Sequence, residues 1–101
     1  MASSDANVAF LAHNDGDDVA VAIRPVQPGP ASVAYLDSSS RIDLEVTEAI
    51  PYGHKVAISD MAADETVTEY GLPIGITRTA IARGAYVHTH NLRSARWQKS
   101  I

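Results

Sequence analysis

A single, mainly β domain is what this sequence predicts, and three observations predict it. Val and Ile together number 17 against five Leu, and six Thr add to a β-branched total suited to pleated, half-buried surfaces. The apolar runs are short and separated by Gly and Pro, with no sustained helical period. One turn motif also recurs: an apolar residue, Gly or Asp three positions on, and Val three further. With 101 residues, 46% of them apolar, the chain can hold one modest core and no second domain.

Taken in order, residues 5–13 are Ala-rich and form the one helix candidate, though the segment is short and as easily extended. Strands are expected over 19–23, 42–46, 55–58, 67–70, 74–77 and 85–90, with a polar turn at 37–41. The turn motif reads Ile50…Gly53…Val56, Met61…Asp64…Val67 and Ile81…Gly84…Val87, with Val26…Gly29 as an opening that lacks the closing Val. Its corner calls for positive φ, which Gly adopts at least cost and Asp tolerates. The flanking apolar residues should anchor both ends in the core, and the turns should launch strands. Their irregular spacing excludes a solenoid.

The net charge of −4 conceals a division. All 12 acids lie in residues 1–70 with three bases (Arg24, Arg41, Lys55), giving −9. Residues 71–101 hold five bases (Arg78, Arg83, Arg93, Arg96, Lys99) and no acid, giving +5. With only Tyr86 and Trp97 as interleaved aromatics, this is a thin nucleic-acid footprint, and no nucleic-acid partner is expected. Either the two segments neutralise each other, or the basic one meets an acidic partner or substrate. Trp97 is available to pack on a partner. The lack of Cys excludes disulfides, Cys-ligated metals and a thiol nucleophile. No apolar run approaches the ~20 residues of a membrane helix, and the start lacks the build of a secretory signal. A soluble, cytoplasmic domain with no membrane partner is expected.

Four histidines carry most of the chemical interest. In an extended 85–90 run, His88 and His90 project to one side about 7 Å apart. That suits two ligands of one divalent metal, two contacts to an anion, or simply two surface imidazoles. Asn91 adds an amide able to bind a hydroxyl or carboxylate. His54 and Lys55 follow the Gly53 corner, and as consecutive strand residues only one would face a given pocket. His13 heads Asn14-Asp15-Gly16-Asp17-Asp18, which lacks the ligand spacing and terminal Glu of a calcium loop and reads first as a turn. His13 and Asp17 remain available to a hard-metal site. Tyr70, in Glu69-Tyr70-Gly71, suits a packing ring or an acid. The chain has no Gly-rich phosphate loop, no Ser nucleophile elbow and no helical His pair.

Three stretches go further: Ile-Pro-Tyr-Gly-His-Lys-Val-Ala-Ile over 50–58, Tyr-Gly-Leu-Pro-Ile-Gly over 70–75, and Gly-Ala-Tyr-Val-His-Thr-His-Asn-Leu over 84–92. With His13 and Asp17-Asp18-Val19-Ala20 before them, they resemble the SAF domain of the altronate/galactarate dehydratase family, in the right order. The resemblance implies a β-clip fold of bent hairpins over 13–92, an amino-terminal extension over 1–12 and a basic tail over 93–101. It also implies the small subunit of a two-component hydroxy-acid lyase, inactive without a large catalytic subunit. The reaction would be β-elimination from an anionic hydroxy acid, as in sugar-acid dehydration. In that reading His54, Lys55 and Tyr70 are catalytic, and His13, Asp17, Glu69, Gly71 and Asn91 bind substrate. His88 and His90 would ligate a divalent metal (Fe, Mn, Mg or Zn) shared with the partner subunit. Two residues depart from the family pattern: Glu69 replaces the usual Lys, and Asp18 the usual Asn.

Three other readings compete. One is the small subunit of a sulfolactate sulfo-lyase, which expels sulfite instead of water. Another is a stand-alone SAF-like module that binds carbohydrate or sugar acid, or ice; Thr47, Thr66, Thr68, Thr77, Thr79 and Thr89 show no regular period for an ice face. The third is metal sensing or storage by His13, His88 and His90. A homo-oligomer is a further expectation for the isolated chain.

Overall fold

Tight turns frame this molecule, and in the computed structural model, which describes residues 8–94, all four have the expected backbone. The corner residues Gly29, Gly53, Asp64 and Gly84 have φ of +137°, +80°, +61° and +93°. The apolar openings of the turns pair with one another. Val26 and Ile50 exchange backbone hydrogen bonds of 2.9 and 2.8 Å, and Met61 and Ile81 exchange two of 2.8 Å. All four openings are buried, as are the closing residues Val56, Val67 and Val87. Thr77, fully buried, secures the Asp64 turn: its Oγ1 donates to the Ala62 carbonyl at 2.6 Å and accepts from the Glu65 N–H at 2.8 Å.

Each corner launches a strand, so the order of elements follows from the order of turns. The strands are β1 (Val8–Ala12), β2 (Val19–Ala22), β3 (Gly29–Tyr35), β4 (Arg41–Val46), β5 (Lys55–Ala57), β6 (Thr66–Glu69), β7 (Leu72–Thr77), β8 (Tyr86–Val87) and β9 (Leu92–Ser94). They form a six-stranded sheet in the order β4-β3-β1-β2-β5-β8 and a three-stranded sheet in the order β6-β7-β9. Only β1 and β3 pair in parallel. The architecture is the expected single β-clip domain, a curled sheet with no helix among the described residues. Among the described residues no helix is long and apolar enough to cross a membrane.

Three strands were not anticipated. Within the 5–13 segment Val8–Ala12 is extended, and this stretch, expected within an amino-terminal extension, is a central strand between β2 and β3. Its Ala-rich composition suits a curled sheet, where Ala9, Ala12, Ala20, Ala22 and Ala31 allow close approach around the fully buried Phe10. β3 opens Gly-Pro-Ala-Ser, too small and polar to read as a strand, yet Ala31, Ser32 and Val33 are all buried. β9 begins inside the expected domain and runs past residue 92. Conversely, the expected 85–90 strand ends at Val87. Residues 95–101, with Trp97, Arg96 and Lys99, lie outside the described residues.

The core has two parts. One packs around Phe10 with Val33, Leu44, Val46, Ile50 and Val56. The other joins the two sheets through Val19, Ala57, Met61, Val67, Ile81 and Val87.

Two turn glycines separate backbone strain from packing. A Cβ on Gly53 meets nothing within 4 Å, whereas on Gly84 it would lie 2.1 Å from the Glu45 carbonyl oxygen. Gly53→Ala should therefore cost only its left-handed backbone, about 1 kcal/mol, or roughly 5 °C in Tm. Gly84→Ala must also displace β4 and should lower Tm by at least about twice as much. Thermal melts of the two variants make the comparison.

Candidate functional site

The exits of the Gly53 and Gly84 turns meet side by side, because β5 and β8 pair with Lys55 opposite Val87 and Val56 opposite Tyr86. The Gly53 turn is tied to β2 at both ends: its N–H donates to Ala22 O at 2.9 Å, and Ala22 N–H donates to His54 O at 2.8 Å. His54 is thereby held at the mouth of an open cleft of about 400 Å³. Gly53, His54, Lys55, Glu69, His88, Thr89 and Ser94 contribute to its lining, and Ile74, Val87 and Leu92 form its apolar side.

Around His54 lies a cluster of rings. The Tyr86 hydroxyl and His54 Nδ1 are 2.6 Å apart. Whichever of the two donates, Nδ1 is engaged and Nε2 is left for a ligand. The His88 ring stacks on Tyr86 (centroids 5.5 Å, planes 9° apart) and lies 5.0 Å from His54. The His90 ring lies 5.8 Å from Tyr86. Tyr86 is the residue that sequence reasoning missed. Its place two residues before His88 in a β-prone run was the available signal.

His88 and His90 each lie against Tyr86, and the segment that carries them is not an extended strand. Residues 88–91 form a turn in which Asn91 N–H donates to His88 O at 3.0 Å. Asn91 is buried; its Oδ1 accepts from His88 N–H at 2.9 Å and its Nδ2 donates to Tyr86 O at 2.8 Å. Both halves of the amide are thus used by its own turn, so Asn91 positions the imidazoles. The described residues contain no group of three His, Cys, Asp or Glu side chains able to hold a metal. His88 and His90 alone are an incomplete ligand set.

The basic third of the chain is divided between fold and site. Arg78 Nε donates to Thr89 O at 3.0 Å, which sets a guanidinium beside the 88–91 turn. Arg83 folds away: its NH2 group donates to Asp43 O at 2.7 Å and its Nε to Ile58 O at 3.3 Å.

A second group sits at the β6–β7 hairpin. Asp17 is buried and accepts backbone N–H bonds from Tyr70 (3.0 Å), Gly71 (3.1 Å) and Asn14 (3.2 Å). Burial would raise its pKa, but these donors, with the His13 backbone, outweigh burial and hold the carboxyl below its ordinary value of 3.8. Asp17 and Gly71, expected to contact substrate, are bonded to each other. They fix Tyr70 at φ +61°, with its ring stacked on His13 at 3.5 Å. Asp18 works beside Asp17, its Oδ2 accepting from Thr68 N–H at 2.9 Å and its Oδ1 from the Ser59 hydroxyl at 3.1 Å.

Between the two groups lie Lys55 and Glu69, with Nζ and Oε1 3.8 Å apart. Burial pushes Glu69 above its ordinary value of 4.5; Lys55 and His13 offset this only in part, and Asp17 adds to it. Contrary to the expectation that only one of His54 and Lys55 would face a given pocket, both line the cleft.

Comparison with known proteins places this arrangement among relatives. The family described as altronate/galactarate dehydratase SAF domain matches residues 8–95. The chain is 38% identical over 93 residues to (2R)-sulfolactate sulfo-lyase subunit alpha of Chromohalobacter salexigens, covering 90% of this chain and 99% of that one. It is 30% identical over 86 residues to altronate dehydratase of Bacillus subtilis, covering 85% of this chain and 16% of that enzyme. Altronate dehydratase of Escherichia coli is 36% identical over 78 residues, of which this chain spans 15% of the length.

The opposite shifts of Glu69 and Asp17 predict a two-limbed acid response. Glu69, raised in the folded state, disfavours folding while charged, and this is relieved as pH falls through its folded pKa towards 4.5. Asp17, lowered, adds stability that is present above its unfolded value of 3.8 and is lost as pH falls through its folded pKa. Glu69→Gln should therefore exceed wild type in stability near neutrality, with the gap closing towards pH 4.5. Asp17→Asn should be less stable by about 1–3 kcal/mol near neutrality, with the gap closing in stronger acid. Denaturant melts across pH measure both.

Proposed function

The chain belongs to the altronate/galactarate dehydratase SAF-domain family, and from that premise we propose that it is the small subunit of a two-component hydroxy-acid lyase. The observation that carries this reading is the cleft itself, in which His54, Lys55 and His88 converge beside an apolar wall at the mouth of a small domain. A separate subunit is supported by the relative named subunit alpha, whose length the chain matches almost completely. The partner is a large catalytic subunit, the substrate an anionic hydroxy acid, and the site of action the cytoplasm.

The reaction is β-elimination. A base removes the proton α to the carboxylate, and the bond to the β-substituent breaks with its electron pair. The resulting enol then relaxes to a 2-keto acid. His54 moves a proton at Nε2, with Tyr86 fixing the imidazole through Nδ1. Lys55 and His88 receive the carboxylate and oppose the charge that builds on it as the α-proton leaves. The apolar wall of Ile74, Val87 and Leu92 accepts the carbon chain and keeps water from the reacting bond. Tyr70 and His13, stacked on each other at the hairpin, stand outside the cleft lining and take no part in this sequence of steps.

Full-length correspondence with the sulfo-lyase subunit favours sulfite as the leaving group, with a hydroxy acid bearing a β-sulfonate as substrate. Water loss from a sugar acid is the second reading, supported by the altronate dehydratases.

Mixing this chain with its co-purifying large subunit should give 2-keto acid from the hydroxy acid, and sulfite in equal amount if the sulfonate reading holds. The isolated chain should give none. His54→Ala and His88→Ala should each lower kcat/KM of the complex by roughly a hundredfold. If both left the kinetics of the complex unchanged, the cleft would not be the site. Product from altronate or galactarate without sulfite from sulfolactate would select the dehydratase reading.

A further inference from the structure

Glu69 is the one titratable residue of the cleft lining to which the elimination above assigns no work, and its surroundings are unusual for an anion site. It is buried, lines the same cleft as His54 and His88, and has the Lys55 ammonium 3.8 Å away. Lys55 is about a third exposed and so is reachable from solvent, whereas Glu69 is nearly covered. An anion entering the cleft meets Lys55 already paired. If it takes the ammonium for itself, Glu69 is left as a buried carboxylate without its counter-charge, a state too costly to persist.

We propose that the cleft binds anions in a proton-linked exchange: the entering carboxylate or sulfonate takes Lys55 from Glu69, and the Glu69 carboxylate takes up one proton from solvent. The balance is one anion and one proton bound together, with a carboxylic acid formed at Glu69 and the ammonium of Lys55 retained. The charged and titratable groups around Glu69 agree with this. Across from it on β5 stands Lys55. From the β1–β2 connection come Asp17, whose negative charge favours a neutral Glu69, and His13, which opposes it; His54 and His88 share the cleft. Burial has already pushed the Glu69 carboxyl upward with Lys55 in place, so removing that cation moves it further in the same direction. The protonated carboxyl then becomes a hydrogen-bond donor facing the bound anion.

The inference deepens the lyase reading and rests on it only for the identity of the natural anion; inorganic sulfate serves as the probe. Titration calorimetry of the full chain with sulfate, in Tris and imidazole buffers of different ionisation enthalpy, should show uptake approaching one proton per sulfate. Affinity should rise by up to about tenfold per pH unit on going from about pH 7 towards pH 5. Glu69→Gln should bind sulfate more tightly near neutrality and lose most of the uptake and of the pH slope. Lys55→Gln should lose both binding and uptake, and, with Glu69 deprived of its counter-charge, should melt below wild type near neutrality with the gap closing in acid. Uptake retained in Glu69→Gln, or sulfate binding undiminished in Lys55→Gln, overturns the exchange. Turnover by the two-subunit complex without proton uptake at Glu69 also overturns it and leaves the lyase reading standing. Uptake with sulfate but no turnover of any hydroxy acid sustains the exchange and sinks the lyase reading instead.

Discussion

Two adjacent carboxylates hold the sheets of this domain at the distance the cleft requires. Asp17 accepts three backbone N–H bonds, two of them from the tip of the β6–β7 hairpin. Asp18 accepts from Thr68 and Ser59, and its backbone N–H donates to Thr68 O at 2.8 Å. These contacts span 50 or more residues of sequence for Thr68, Tyr70 and Gly71, and they join the start of β2 to the smaller sheet. Hydrogen bonds to a charged acceptor contribute about 1.5–3 kcal/mol each, so the pair rivals the apolar contacts between the sheets. The cleft depends on this join. Lys55 stands on the larger sheet and Glu69 on the smaller, and they meet because Asp17 and Asp18 fix the edge between them.

The chemistry is placed by repetition of one device. A left-handed corner ends an excursion and its closing Val is buried, so the residues between corner and Val emerge at a reproducible height above the core. At Gly53 those residues are His54 and Lys55, and at Gly84 they are Ala85 and Tyr86. Antiparallel pairing of β5 with β8 sets the two exits against each other, which is how Tyr86 reaches His54 from 32 residues away. The Asp64 turn uses the same corner for structure alone, with Thr77 filling the space beneath it.

How far the residues alone disclosed the fold depended on how local the cause was. Positive φ at Gly29, Gly53, Asp64 and Gly84 is a property of the corner itself, so a short motif was enough to find it. Strands rich in Val, Ile and Thr were visible for the same reason. β1 and β3 were not, because their extended state comes from neighbours: Ala, Gly, Pro and Ser carry little strand preference and are held by pairing with β2 and β4. At the site, residue types were legible but partnerships were not. Asn91 looked like a ligand group, yet its amide closes its own turn. Asp17 looked like a substrate or metal residue, yet both its oxygens accept backbone N–H bonds from a hairpin far along the chain. Only three-dimensional pairing could show which polar groups remain for chemistry: His54, Lys55, His88 and Glu69.

The two departures from the family pattern are answered within this chain. An Asn at position 18 has one acceptor oxygen and a donor amide, so it could not accept at both positions now taken by Thr68 N–H and the Ser59 hydroxyl. Asp supplies both acceptors, and Ser59 is the donor that makes the second one useful. At position 69 a Lys would set two ammonium groups within about 4 Å in a largely buried place, a repulsion that Glu69 replaces with an attraction. Each unusual residue thus has its complement across the sheet: Ser59 for Asp18 and Lys55 for Glu69. Among the described residues no buried side-chain nitrogen or oxygen lacks a partner. On the exchange proposed above, the reversed charge at Glu69 holds the cation of the cleft in reserve, and that is the condition under which an entering anion and a proton must bind together.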